Sequence, residues 1–289
     1  MSAFVWLNDE LVDAQQASVS VFDHGLTVAD GIFETLKVVD GHIFALDRHL
    51  DRLQNSANIL GLGRLDRASI QKGCNEVLAA NSQIPNGRMR ITVTSGSGPL
   101  GSDRFDSPVT LVIAMSSTTP WPQQTSIVVV PWTRNERSSI AGAKSTSYAE
   151  NVVALTAAHD AGFSEAVFTD SRGHISEGTG TNIFLVSGGE LVTPSIDTGL
   201  LQGVTRNLVI QWAQEAGYVV HERTFSTAYL LESDEVFLTS TTRDVHPVTS
   251  IGVMSPDRVI ASRVNKPLGP VTIRMQEIFT ANSKNDWNP

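Results

Sequence analysis

The 289-residue sequence contains a single cysteine, Cys74. One thiol excludes an internal disulfide and any zinc site built from several thiolates, and it fits a reducing cytosol. Positive charge is also scarce: 21 Lys and Arg stand against 30 Asp and Glu, a formal net charge of −9. That balance argues against nucleic acid or an anionic membrane surface as partner, because a basic patch would have to form against the overall field. No apolar run approaches membrane-spanning length and no charged-then-apolar leader follows Met1, so a soluble, cytoplasmic protein is expected. His24, His42, His49, His159, His174, His221 and His246 stand singly, without a pair at ligand spacing, so no metal is expected. The absence of an internal repeat excludes solenoids and propellers.

Apolar content is ample for packed cores, and its pattern changes along the chain. Strand-like runs at 4–7, 33–39, 88–94 and 109–114 alternate with two helical patterns, the first marked by Leu46, Leu50, Leu53, Ala57 and Leu60. The stretch 117–126, rich in proline and hydroxyl residues, reads as a linker. Beyond it come short strands at 127–131, 165–169, 181–187, 190–193, 218–222 and 235–239, with helices near 147–161, 205–216 and 269–281. This succession predicts an α+β chain of two domains: a smaller N-terminal α+β domain over 1–118, a linker over 119–126, and a larger domain over 127–289 built on a curled, barrel-like sheet.

Several features carry chemistry. Lys144 follows Ile140-Ala141-Gly142-Ala143 and precedes three hydroxyl residues, a setting with neither a charge partner nor bulk. Glu177 stands before the glycine and hydroxyl turn 178–181 that feeds an apolar strand. Gly203, Val204 and Thr205 open a helix, where free backbone N–H groups suit a phosphate. The run Thr239-Ser240-Thr241-Thr242 ends a strand in four hydroxyls, and Arg48 and Arg52 share one helical face. Taken singly, each has an ordinary structural reading: a strand end, a solvated turn, a helix cap or a salt-bridged face. Together they supply what pyridoxal phosphate requires, namely a lysine for the aldehyde, an acid for the pyridine nitrogen, and donors for the phosphate.

In this order the motifs HLDRL, AKSTSYAENV, SEGTGTNIF, GVTR and TSTT, with ADGIFETLKV and HPVTSIG as further landmarks, resemble the class IV, or fold-type IV, pyridoxal-phosphate enzymes from about residue 7 to 248. The resemblance implies that Lys144 forms the internal aldimine with pyridoxal 5'-phosphate and moves protons, and that Glu177 binds the pyridine nitrogen. It further implies that Arg52, Val204, Thr205 and Thr241 hold the phosphate. Phe33 would face substrate, and Tyr148 would wall the cofactor. The family fold implies a smaller N-terminal sandwich-like domain, a C-terminal pseudo-barrel with the cofactor between the two, and a homodimer.

Within the family, D-amino-acid aminotransferases carry a tyrosine at the position of Phe33 and an arginine and histidine in the loop that here reads Ser95-Gly-Ser-Gly-Pro-Leu-Gly101. Branched-chain enzymes show Gly-Asp-Gly where this chain has Ala29-Asp30-Gly31. The Ser-Gly-Ser-Gly loop and the chain length look most like 4-amino-4-deoxychorismate lyase, which eliminates pyruvate to give 4-aminobenzoate for folate biosynthesis. That activity is the first expectation, a class IV aminotransferase acting on branched-chain or D-amino acids the second, and a non-catalytic binding module on the same fold a remote third. Arg104, Arg134, Arg137 and Arg243 are the candidates for substrate carboxylates.

Overall fold

The computed structural model describes residues 3–255, 258–259 and 264–289. The chain divides into two compact units: Met1–Pro120 with Ala143–Ser147 and Asp286–Pro289, and Trp121–Gly142 with Tyr148–Asn285. The segment that carries Lys144 therefore folds with the first unit although it lies beyond the 117–126 stretch.

The first unit is a six-stranded antiparallel sheet of β1 (Phe4–Leu7), β2 (Glu10–Asp13), β3 (Gly31–Val39), β4 (His42–Ile43), β5 (Gly87–Thr94) and β6 (Thr110–Ser117), in the order β2-β1-β6-β5-β3-β4. Its helices are α1 (His24–Thr27), α2 (Leu46–Leu60) and α3 (Arg67–Ala80). On β5 the two-residue period sends Met89, Ile91 and Val93 inward and leaves Arg88 and Arg90 exposed. The inward set meets Leu50, Leu53 and Ala57 of α2 and Ile70, Cys74 and Val77 of α3, which recur at helical spacing. Burial pushes the Cys74 thiol up to about 12, so the lone cysteine is an inert core residue.

The second unit carries a ten-stranded sheet of β7 (Thr125–Thr133), β8 (Glu165–Thr169), β9 (Ile175–Gly178), β10 (Asn182–Ser187), β11 (Glu190–Thr193), β12 (Val220–Glu222), β13 (Glu235–Ser240), β14 (Asp244–Ser255), β15 (Arg258–Val259) and β16 (Val264–Asn265). Its main path runs β12-β11-β10-β13-β14-β7-β8-β9, with β15 and β16 paired to β14, and it curls into a half-barrel. The helices are α4 (Ala149–Asp160), α5 (Val204–Glu215), α6 (Thr227–Glu232) and α7 (Pro270–Asn285). Alternate residues of β7 serve two cores: Ile127 and Val129 join Val167, Ile183 and Leu185, while Val128 and Val130 join Ala154, Ala158 and Phe168. Burial on both faces explains why these strands read as continuous apolar runs. No helix among the described residues is long and apolar enough to cross a membrane.

Candidate active site

Lys144 is fixed by its own main chain. Its carbonyl accepts the N–H of Phe33 at 2.9 Å, its N–H donates to Ser56 Oγ at 3.0 Å, and Thr146 N–H donates to Gly31 O at 2.8 Å. The segment thus adds a short antiparallel bridge, Ile32 opposite Ser145, to the start of β3. The ammonium lies 4.6 Å from the centroid of the Phe33 ring, and Arg90 covers the same ring at 3.7 Å.

Beside this segment, α2 and β3 share a buried charge cluster. Glu34 is fully buried and accepts from Arg52 through both oxygens, Nε to Oε1 and Nη2 to Oε2 at 2.7 Å each, and from His49 Nδ1 at 2.7 Å. Burial opposes the charge on Glu34, but Arg52 and His49 outweigh it and hold the carboxyl at about 2. Burial lowers the His49 pKa, against the pull of Glu34 and with the help of the Arg52 and Lys144 charges. Arg48, four residues before Arg52, points elsewhere and donates from Nε to Pro289 O.

In the second unit Glu177 lies in β9, one residue before its end, with little exposure, accepting Leu201 N–H at 3.0 Å and standing 3.2 Å from Arg134 Nε. The Arg134 guanidinium also covers the Phe168 ring at 4.5 Å. Val204 and Thr205 form the buried first turn of α5, whose N-cap Gly203 places no side chain on the free N–H groups. A Cβ at Gly203 would fall 2.1 Å from Asn182 Oδ1, so any side chain there would have to displace the Asn182 amide. Thr241 sits in the three-residue tip between β13 and β14, closed by the Ser240–Asp244 pair. Thr239 Oγ1, on the same strand end, is buried without a hydrogen-bond partner among the described residues. An uncapped helix start without acidic residues beside a hydroxyl-rich hairpin tip is a donor set that fits a phosphate, and a carboxylate fixed by a guanidinium fits a protonated ring nitrogen.

The first unit therefore brings Lys144, Phe33 and Arg52 together, and the second holds Glu177, Val204, Thr205 and Thr241. Tyr148 is the N-cap of α4. Three of the arginines considered for substrate carboxylates have other partners. Arg104 pairs with Asp30 and donates to the carbonyls of Leu60 and Gly61, Arg134 stands against Glu177, and Arg243 pairs with Glu165. Arg90, which sequence reasoning passed over, lies against Phe33. The alternation of β5 was the signal that could have placed it on the outward face.

The family model for class IV amino-transferases matches residues 31–251. A protein of Methanocaldococcus jannaschii assigned by inference to the branched-chain-amino-acid aminotransferases is 35% identical over 280 residues, covering 95% of this chain and 94% of its own. The branched-chain aminotransferase of Thermoproteus uzoniensis, solved with norvaline, superposes with a TM-score of 0.87 at 27% identity over 97% of this chain and 94% of that one. A T.th. branched-chain aminotransferase, solved with N-(5'-phosphopyridoxyl)-L-glutamate, gives 0.85 at 25% identity, covering 99% and 95%. A Legionella pneumophila protein assigned by inference to 4-amino-4-deoxychorismate lyase gives 0.81 at 21% identity over 94% and 97%, a likeness of fold alone. With the motifs in order, the fold matched and the family model spanning most of its length, this chain belongs to the class IV aminotransferase family of pyridoxal-phosphate enzymes.

Proposed function

We propose that the protein is a pyridoxal-phosphate-dependent aminotransferase acting on branched-chain amino acids. The observation that carries this reading is the 35% identity to the Methanocaldococcus jannaschii protein along nearly the full length of both chains. It displaces the lyase as first reading, because the Ser-Gly-Ser-Gly loop that favoured the lyase has a local explanation. Gly96 holds φ 84°, and a Cβ there would fall 2.1 Å from Pro108 O. A Cβ at Gly98 would meet His24 Nε2 at 2.8 Å. The Ser-Gly-Ser-Gly composition therefore reports packing, and packing constrains either activity alike. Ala29 has φ 55°, the left-handed conformation that the first glycine of Gly-Asp-Gly would enter freely, so this departure keeps the backbone.

In this reading Lys144 would carry the cofactor and, once the substrate's amine has displaced it, its freed Nζ would take the proton from the substrate's amine-bearing carbon. Pyridoxal phosphate, when bound, supplies the electron sink for that bond cleavage. Glu177, ion-paired with Arg134 and oriented by Leu201 N–H, would hold the proton on the ring nitrogen. Val204 and Thr205 N–H groups, the Thr241 hydroxyl and the Arg52 guanidinium bind phosphate. Phe33 supplies an apolar ring beside Lys144 suited to aliphatic side chains, and Arg90, over that ring, offers a cation to the second carboxylate of a dicarboxylic amino acceptor.

The family homodimer is part of the proposal. Val21, Phe22 and Leu26 are exposed on one segment and Leu100 and Phe105 on another, and the two segments are joined by His24 N–H to Gly96 O and Gly98 N–H to Phe22 O. An apolar patch of this make-up suits a second copy of the chain.

The test is a paired assay on purified protein. Leucine, isoleucine and valine with 2-oxoglutarate should give keto acids and glutamate. Release of 4-aminobenzoate and pyruvate from enzymatically generated 4-amino-4-deoxychorismate, without transamination, would restore the lyase.

A further inference from the structure

The hairpin tip that carries Thr241 is anchored from below by its neighbour Arg243. Asp244, at the end of the tip, holds φ 53°, a left-handed conformation that residues with a Cβ seldom adopt. Asp enters this conformation more readily than most residues with a Cβ, and side chains packed beneath the tip hold it in place. Arg243 supplies that constraint. Its Nη2 lies 3.1 Å from Glu165 Oε2, its guanidinium carbon lies 3.9 Å from the centroid of the Trp121 ring, and its side chain is 7% exposed. Glu165, itself 1% exposed at the start of β8, uses Oε1 to accept the N–H of Thr179 at 3.2 Å and the Thr179 hydroxyl. Thr179 stands two residues beyond Glu177. Its carbonyl accepts from Asn151 Nδ2 at 2.5 Å, Asn151 Oδ1 accepts from Arg134 at 3.4 Å, and Arg134 Nε reaches Glu177 at 3.2 Å. A chain of polar contacts thus runs, within one unit, from the hydroxyl tip to the carboxylate.

Stability alone does not account for Arg243. Burial lowers its pKa, with Glu165 opposing, and its Nη1 is buried without a hydrogen-bond partner among the described residues. A buried cation with one counter-charge and an unmet donor is a costly way to fill space, and an apolar side chain would pack there at less expense.

We infer that Arg243 is a positioning residue that, through Glu165 and Thr179, sets the tip bearing Thr241 in fixed register with the turn after Glu177. This rests on the reading of Thr241 as a phosphate contact. Arg243 touches neither cofactor nor substrate in this role; it acts on cofactor affinity through Thr241.

The test compares, in the full-length protein, affinity for pyridoxal 5'-phosphate with affinity for unphosphorylated pyridoxal, alongside melting temperature. The set is wild type, Thr241→Val, Arg243→Met and the double variant. Thr241→Val and Arg243→Met are each expected to lower the preference for the phosphorylated form about tenfold, the effect of one hydrogen bond to a charged group, and the double variant to fall no further than Thr241→Val. A purely structural role would shift melting and leave the preference unchanged. If Thr241→Val keeps the wild-type preference, the phosphate reading of Thr241 fails and takes the inference with it. If Thr241→Val loses preference while Arg243→Met does not, or if the two losses add in full, the inference alone is overturned. Should Arg243→Met not fold, Glu165→Gln enters the same comparison with the same expected loss.

Discussion

Phe33 donates its backbone N–H to the carbonyl of Lys144 at 2.9 Å, while its ring lies 4.6 Å from the Lys144 ammonium. One residue of β3 thus fixes both the main chain and the side-chain surroundings of the lysine. Because the backbone bonds do not depend on the ammonium, Lys144→Ala is expected to fold normally and to lose amino transfer. Borohydride treatment of cofactor-loaded wild type should add the cofactor's mass to the peptide containing Lys144, read by mass spectrometry, and no peptide of the variant should gain it.

Arg52 and Arg48 lie on one helix, but only Arg52 is forked onto Glu34. With Arg52 on the phosphate as proposed, Arg52→Ala would delete a charge-assisted contact of ~1.5–3 kcal/mol and should weaken cofactor binding about ten- to a hundred-fold. It also strips a buried carboxylate of its counter-charge, so its melting temperature should fall. Arg48→Ala should be mild in both respects. A cofactor titration in which Arg48→Ala is the costlier change would reassign the phosphate contact.

Glu34 predicts an acid-sensitive first unit. Its folded-state pKa of about 2 lies below the ordinary 4.5, so its ionised form stabilises the fold fully above pH 4.5. That stability, about 3 kcal/mol at this shift, is lost as pH falls from 4.5 through 2. His49, whose pKa is also lowered, adds loss in the same direction as the unfolded chain takes up its proton first. Denaturant unfolding at pH 7, 5 and 3 should show the decline. Glu34→Gln should be less stable at pH 7 and less dependent on pH below 4.5; an unchanged acid limb would show that the pair does not govern it.

Glu177→Gln keeps size and a hydrogen bond but removes the charge that favours a protonated ring nitrogen. Cofactor should still bind, and proton abstraction in a single turnover should slow by somewhat over a hundred-fold, corresponding to ~3 kcal/mol of transition-state stabilisation. A wild-type abstraction rate would remove Glu177 from this role.

Leu26→Glu places a charge in the exposed patch of the first unit, where Leu26 is 69% exposed. If a second copy covers the patch, the variant should sediment as a monomer with its melting temperature lowered, whereas wild type sediments as a dimer. Identical sedimentation of the two would place the dimer contact elsewhere.

Local signals made most elements legible. The two-residue period of β5 and the helical spacing of α2 mark their buried faces directly, because an amphipathic element has only one way to bury its apolar side. The long β14 escaped, since His246, Pro247, Thr249 and Ser250 break its apolar pattern and its place in the sheet comes from β13 and β7 on either side. Motif order nominated Lys144, Glu177, Thr205 and Thr241 as the proposed site, because backbone turns and reactive groups leave short, dense signatures. Partnerships across the sequence left none. That Glu34 claims Arg52, that Arg104 belongs to Asp30, that Arg134 stands behind Glu177 and that Glu165 holds Arg243 are decided by contacts between residues 18 to 78 positions apart, which only the packed chain brings together. The same holds for the glycines at 96 and 98, whose meaning lies in Pro108 and His24 rather than in their neighbours. Local propensity decided most of the elements, and tertiary packing chose the partner of each charge.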